Sequence, residues 1–308
     1  MSFISYSQNF EDVILWRALK NVENGFYIDI GANDPVDDSV TKSFYDRGWT
    51  GINCEPVQHW FSKLKAERNN DINLQVAIGA QTSQLEFFEI VNTGLSTLDK
   101  TLAKKHSKEY GFELKSYVVP VEKLTSICER EKVDVVHFLK VDVEGAEKAV
   151  LEGIDFKRIR PWIVVVEATK PMSQEVDYDQ WEFLITSENY HFVYFDGLNR
   201  FYVANEHDEL DYHFDRPPNI FDQFVLFSQV KAEIKATEAE IKATEAEIKA
   251  TEAEEKAYKA KKEVTEAEIK MNDALRCYSD VINSRSWVIT KPLRNMVQRL
   301  KLIIGKSN

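Results

Sequence analysis

The chain is short of several things, and each shortage excludes a class of protein. Nowhere among its 308 residues does an apolar run approach the roughly 18 that a membrane-spanning helix needs. No basic segment followed by an apolar stretch opens the sequence, so a secretory leader is not expected. The three cysteines, Cys54, Cys128 and Cys277, are scattered without metal-ligand spacing and read as buried or incidental thiols of a reducing compartment. Positive charge is outweighed: the formal net charge of -12 argues against a general nucleic-acid binder. What remains is 44% hydrophobic residues, enough for a core, on a length suited to one large domain or two parts. A cytoplasmic location is expected.

Glycine is also scarce at the point where a dinucleotide site would demand it. The stretch Gly25–Pro35, GFYIDIGANDP, runs from an apolar strand into a tight turn with a single glycine, Gly31. The dinucleotide fingerprint wants three glycines, so that pyrophosphate can lie on a helix N-terminus. Here Asn33, Asp34 and Pro35 follow instead. An acidic turn repels pyrophosphate and suits S-adenosylmethionine, which carries a sulfonium and an ammonium. Gly31 is expected to let the backbone approach a ligand. The next apolar run, Thr50 to Cys54, ends in Glu55, about 20 residues past the glycine turn, where a nucleoside-binding fold sets a carboxylate against the ribose hydroxyls.

Residues 5–20 begin with a Ser/Gln/Asn cluster and become helical, with Glu11 and Asp12 in the first turn, where acids favour the helix dipole. The polar lead-in is a candidate cap for the cofactor site. His59–Arg68 reads as a helix, Ile72–Ile78 as one strand closed by Gly79, Gln84–Ile90 and Ser116–Val121 as further β-segments, and Leu124–Glu131 as a helix. The run Val133–Gly145 has a buried-strand core but ends in Lys140, Asp142 and Glu144, which alternation places on one face if the strand stays regular. Pro161–Ala168 reads as a central parallel strand ending in Glu167. A helix is predicted over 178–189, and a hairpin turns at 196–199.

SYSQNFEDVIL, YIDIGANDP, GINCEP, VAIG, LKVDVEGAE and the VVVE strand resemble, in this order, the FkbM-type S-adenosylmethionine-dependent methyltransferases over residues 5–205. The resemblance implies an α/β, Rossmann-like class I methyltransferase fold, a mostly parallel sheet with a terminal antiparallel hairpin. It implies cofactor contacts at Asp29, Gly31 and Asn33, a ribose contact at Glu55, and further cofactor contacts at Ala77 and Ile78 of VAIG. It implies O-methylation of hydroxyls on sugars or polyketides, with a small-molecule or glycan acceptor. Asp34-Pro35 departs from the pattern of many members. A catalytic base is expected at Asp142 or Glu144, with Glu167 and His137 as weaker catalytic candidates, the latter inside an apolar strand. No spacing requires a metal.

From Ala232 the sequence changes character. AEIKATE occurs in three identical copies, at 232–238, 239–245 and 246–252, and degenerate copies follow to Asp273. Alanines in 4-3 spacing from Ala232 to Ala260 make a thin seam that continues to Val281, the pattern of a coiled coil that joins chains, with a solvated single-helix spacer as the alternative. Pairs such as Glu238–Lys242 support the helix locally. After Asn283 six basic residues face no acid, and an apolar stripe runs beside them, which suits docking on an anionic membrane surface or on a protein partner. SRSWVITKPLR also looks like the C-terminal tails of bacterial cell-surface polysaccharide enzymes. The expected division is 1–227 methyltransferase, 228–283 coiled coil, 284–308 basic amphipathic tail. A non-catalytic scaffold of a polysaccharide-assembly complex, and a nucleotide-sugar dehydrogenase or epimerase, are the alternatives that cofactor binding would separate.

Overall fold

A computed structural model describes residues 3–304. The chain divides into two compact units, Met1–Lys231 and Ala232–Asn308. In chain order the first begins β1 (Phe3–Ser5), α1 (Glu11–Leu19), β2 (Phe26–Ile30), α2 (Lys42–Tyr45), β3 (Thr50–Cys54), α3 (Gln58–Glu67) and β4 (Ile72–Leu74). It continues through β5 (Ala77–Ile78), β6 (Ser83–Ile90), α4 (Lys100–Tyr110), β7 (Leu114–Glu122), α5 (Leu124–Glu131), β8 (Phe138–Val141) and α6 (Glu147–Glu152). It closes with β9 (Ile163–Glu167), α7 (Glu182–Thr186), β10 (Tyr190–Phe195), β11 (Asn199–Ala204), two 3₁₀ segments (Asn205–Phe214 and Ile220–Asp222) and β12 (Phe224–Leu226).

Seven strands form the main sheet in the order β4-β3-β2-β8-β9-β11-β10. Those from β4 to β9 are parallel, and β11 and β10 run antiparallel as a terminal hairpin. Parallel strands are buried on both faces, which is why their sequences are continuous apolar runs. Ile28, Leu139 and Val164 point into one core with α5, α6 and α7. Tyr27, Phe138 and Ile163 point into the other with α1 and α2. Burying a side chain of this size contributes roughly 1.5–3 kcal/mol, so the two cores hold the strand tips rigidly in line.

The apolar run 72–78 does not form one strand. β4 stays in the main sheet, whereas Ala77 and Ile78 pair with Val121 and Glu122 of β7 in a separate sheet of order β5-β7-β6. A third core of Val57, Ala77, Phe87, Val119 and Val121 fills the space beneath it. Helix α4 was not anticipated. It is stopped at both ends by local chemistry: Asp99 accepts hydrogen bonds from the Thr101 and Leu102 N–H groups, and Gly111 takes the left-handed conformation that ends helices. The helix expected over 178–189 shrinks to the five residues of α7.

The acids of the first turn of α1 do more than complement a dipole. Asp12 accepts hydrogen bonds from the Ser5 and Ser7 hydroxyls and the Tyr6 N–H, and Glu11 from the Asn9 N–H and the Asn199 side chain. Arg17 reaches Asp222 at 2.7 Å and the carbonyls of His213, Arg216 and Pro217. These bonds fasten the segment after the hairpin to the sheet and bring β12 beside β1, where the two pair in parallel.

Helix α8 (Phe227–Asn283) is 57 residues long and none of the residues in it is buried. Ser284 then breaks the run, and its hydroxyl caps α9 (Arg285–Ile289). Helix α10 (Lys291–Ile304) carries Pro292 in its first turn, where a missing N–H costs nothing. Among the described residues no helix is long and apolar enough to cross a membrane. Lys306, the last basic residue of the predicted tail, lies outside the described residues.

Candidate active site

Strands β2, β3, β8 and β9 end on one cavity of about 650 Å³. Of the residues singled out from sequence, Asp29, Gly31, Asn33, Glu55, Ala77, Ile78, Asp142, Glu144 and Glu167 all line it. The turn after β2 folds as the pattern suggests but for a different reason. Gly31 has φ +80°, and a Cβ there would lie 1.8 Å from the Asp142 carbonyl oxygen. The missing side chain makes room for the Asp142 backbone just past β8, and Gly31 itself lines the cavity.

Asp29 also differs from expectation. It is 1% exposed, accepts a hydrogen bond from the Thr41 hydroxyl at 3.1 Å, and lies 3.6 Å from the Lys140 ammonium. Its Oδ2 is therefore engaged by a protein hydroxyl, while Oδ1 has no hydrogen-bond partner among the described residues and the residue lines the cavity floor. Asp34 is likewise engaged: Lys63 sits 2.9 Å away, and the Val36 and Asp37 N–H groups donate to it.

Glu55 keeps capacity to spare. One carboxylate oxygen accepts the Asn33 N–H at 2.9 Å and the other the Val57 N–H at 2.7 Å. Asn33 can present its N–H because it adopts φ +51°, which asparagine tolerates better than most residues. Each oxygen retains a second lone pair for a ligand donor. Burial pushes the carboxyl up to about 7 against the pull of these two N–H donors. Beside it rises an apolar wall of Val57, Trp60, Ala77, Ile78, Phe87 and Leu98.

At the far end three acids converge. β8 stops at Val141, so the alternation expected of Lys140, Asp142 and Glu144 breaks, and Glu144 has φ +53°. The side chains meet nevertheless: carboxylate oxygens of Asp142, Glu144 and Glu167 lie within 4.8 Å of one another. Lys140 bridges from Asp142 at 3.1 Å to Asp29. Burial opposes its charge, but Asp142 and Asp29 outweigh that and raise its pKa. Burial, then Asp142, Glu144 and Glu147, pushes Glu167 up to about 11. Burial, then Asp142 and Glu147, raises Glu144 well above the carboxylate range. One oxygen each of Glu144 and Glu167 is shut from water with no hydrogen-bond partner. Glu144 and Glu167 can donate to or accept from hydroxyls, and the three carboxyls together can hold a divalent ion.

The loop 92–98 crosses this end, and the Thr97 hydroxyl donates to the Glu144 carbonyl at 2.9 Å. Gln8 and Glu11, from the polar lead-in, also face the cavity. Trp60, Phe87, Leu98, Thr169, Met172, Ser173 and Leu198 line it as well, and no sequence pattern marks them. An aromatic or apolar residue that lines a cavity looks, in sequence, like any core residue. His137 lies elsewhere: its Nδ1 accepts the Phe26 N–H at 2.9 Å, and its ring sits 5.3 Å from Trp49 and 4.5 Å from Trp162. It is a core histidine.

Residues 29–193, more than half of the chain, match the Methyltransferase FkbM domain. The chain belongs to this family. The FkbM domain begins at Asp29 of β2 and ends within β10, so it contains Glu55, the apolar wall and all three converging acids. No curated protein and no solved structure matches the chain.

Proposed function

We propose that this FkbM methyltransferase is a Rossmann-like class I enzyme that uses S-adenosylmethionine to O-methylate a sugar hydroxyl in a bacterial cell-surface polysaccharide or glycolipid pathway. The strand order with its terminal hairpin supports the fold assignment. The observation that carries the cofactor is Glu55, buried between an apolar wall and an acidic cluster with a lone pair open on each oxygen. That sequence of environments fits a flat base, a vicinal diol and a cationic centre, in that order. Trp60, Val57, Ala77 and Ile78 would hold the base, Glu55 the diol, and the acids would favour the cation.

S-adenosylmethionine supplies an electrophilic methyl group. The chain's own task is to place the acceptor hydroxyl in line and to take its proton, and most of the acceleration can come from that placement. Asp142, paired with Lys140, accepts the proton. Glu167, pushed up to about 11, holds its proton at neutral pH and can donate to a neighbouring acceptor hydroxyl, with Glu144, raised by burial and its acidic neighbours, beside it. Thr169 and Ser173 add hydroxyl partners at the same end, a lining suited to a sugar.

The alanine seam of α8 supports assembly with a second copy. In the three identical repeats it is flanked by Glu233, Glu240 and Glu247 on one side and by Lys235, Lys242 and Lys249 on the other. Opposite charges on the two flanks attract between parallel helices.

Transfer of labelled methyl from S-adenosylmethionine to a panel of glycosides, with the full chain, tests the reading. Label is expected on at least one glycoside, and NAD is expected not to compete. Tight NAD binding with no methyl transfer would favour a dehydrogenase instead.

A further inference from the structure

We propose that helix α10 lies in the surface of an anionic phospholipid membrane. At 3.6 residues per turn, Leu293, Met296, Val297 and Leu300 fall within an arc of about 100°. All four are exposed, from 46% to 64%. Lys301 and Arg299 fall on opposite edges of that arc, and Lys291, Asn295 and Gln298 lie across from it. Cations on both edges can reach headgroup phosphates while their stems cover apolar surface. A groove on a protein would need acidic rims on both sides to satisfy the same pattern, whereas an anionic leaflet offers them everywhere.

The charge distribution singles out this segment. The chain as a whole carries -12, yet no Asp or Glu follows Asp280. The rest of the molecule is therefore repelled by an anionic leaflet, and attachment has to come through this end. Each Lys or Arg brought to such a surface improves partitioning roughly fivefold. Arg294 is used differently: its guanidinium stacks 3.7 Å from the Trp287 ring and donates to the Trp287 carbonyl and the Thr290 hydroxyl. This clasp ties α9 to α10 and fixes the indole, a ring favoured at membrane interfaces. At 14 residues α10 is about 21 Å long, too short to cross a bilayer, so it lies on the surface.

The test uses the full chain and sedimentation with vesicles of phosphatidylcholine alone or mixed equally with phosphatidylserine. The protein is expected to sediment with the mixed vesicles, to stay in solution with the zwitterionic ones, and to be released by high salt. Combining Arg299→Glu with Lys301→Glu should weaken binding at least tenfold, and so should combining Leu293→Ser with Leu300→Ser. Both variants alter exposed positions of a separate unit and should transfer methyl groups at the parent rate. Equal sedimentation with both vesicle types, or charge reversal without effect, overturns the proposal. A chain that ignores all vesicles overturns it too and leaves the apolar arc to a protein partner.

Discussion

Val164 of β9 is fully buried, whereas Ile241 of α8 keeps 54% of its surface exposed. Both are β-branched and both sit in regular structure, yet different forces hold them. β9 exists because its neighbours on two faces and two edges exclude water from it. α8 exists because alanine, lysine and glutamate favour the helix and because pairs such as Glu245–Lys249 add roughly 0.2–0.5 kcal/mol each. The first unit therefore transmits a change at one residue to many others. The heptad helix keeps a change local.

The sharpest way to break this contrast is at the acid end of the cavity. Asp142→Asn should lower methyl transfer roughly 100- to 10,000-fold, the usual worth of a positioned base. Cofactor affinity, read by calorimetry, should move far less. If turnover survives, the proton leaves by another route.

A smaller effect is expected from pH. Burial pushes Glu11 and Glu55 up to about 7, against about 4.3 in an unfolded chain. The folded state then binds protons more tightly than the unfolded state between these values, so their contribution to stability falls as pH rises from about 4.3 through about 7, and Glu167, held up to about 11, continues the fall above that. A thermal melt should show a lower Tm at pH 8 than at pH 5.5, and Glu11→Gln should flatten the slope. A Tm that rises over this range would mean that other groups dominate. Cofactor affinity should run the opposite way and improve through about pH 7, because only the Glu55 carboxylate can accept two ribose hydroxyls.

The smallest effect belongs to the tail. Ala243→Gly should cost the exposed helix about 1 kcal/mol, seen as faster amide exchange near that residue, with methyl transfer unchanged. A loss of activity would show that the two units are coupled.

The same contrast explains what was legible in the sequence. Strands β2, β3, β8 and β9 announce themselves as apolar runs because both their faces are buried, and each carries an acid at or within a residue of its end, where the cavity begins. The hairpin is marked by Asp196-Gly197. The heptads are read directly, since their structure is local. What escaped depends on partners distant in the chain. β1 and β12 are three residues each and pair across the whole first unit. The run 72–78 changes sheet between Leu74 and Ala77, and no residue there says so. Asp29 carries a cofactor-motif position, but its burial against Thr41 and Lys140 depends on the fold. Helix α4 was detectable, for Asp99 and Gly111 bracket it with ordinary start and stop signals.

The central claim is that Glu55 holds the diol of an adenosine cofactor. Titration calorimetry of the parent chain and of Glu55→Ala with S-adenosylmethionine at pH 8 tests it most directly. Charged hydrogen bonds of this kind contribute roughly 1.5–3 kcal/mol, so the variant should bind about 10- to 100-fold more weakly while melting as a folded protein. Equal affinity in parent and variant, or no binding by the parent, would contradict the assignment.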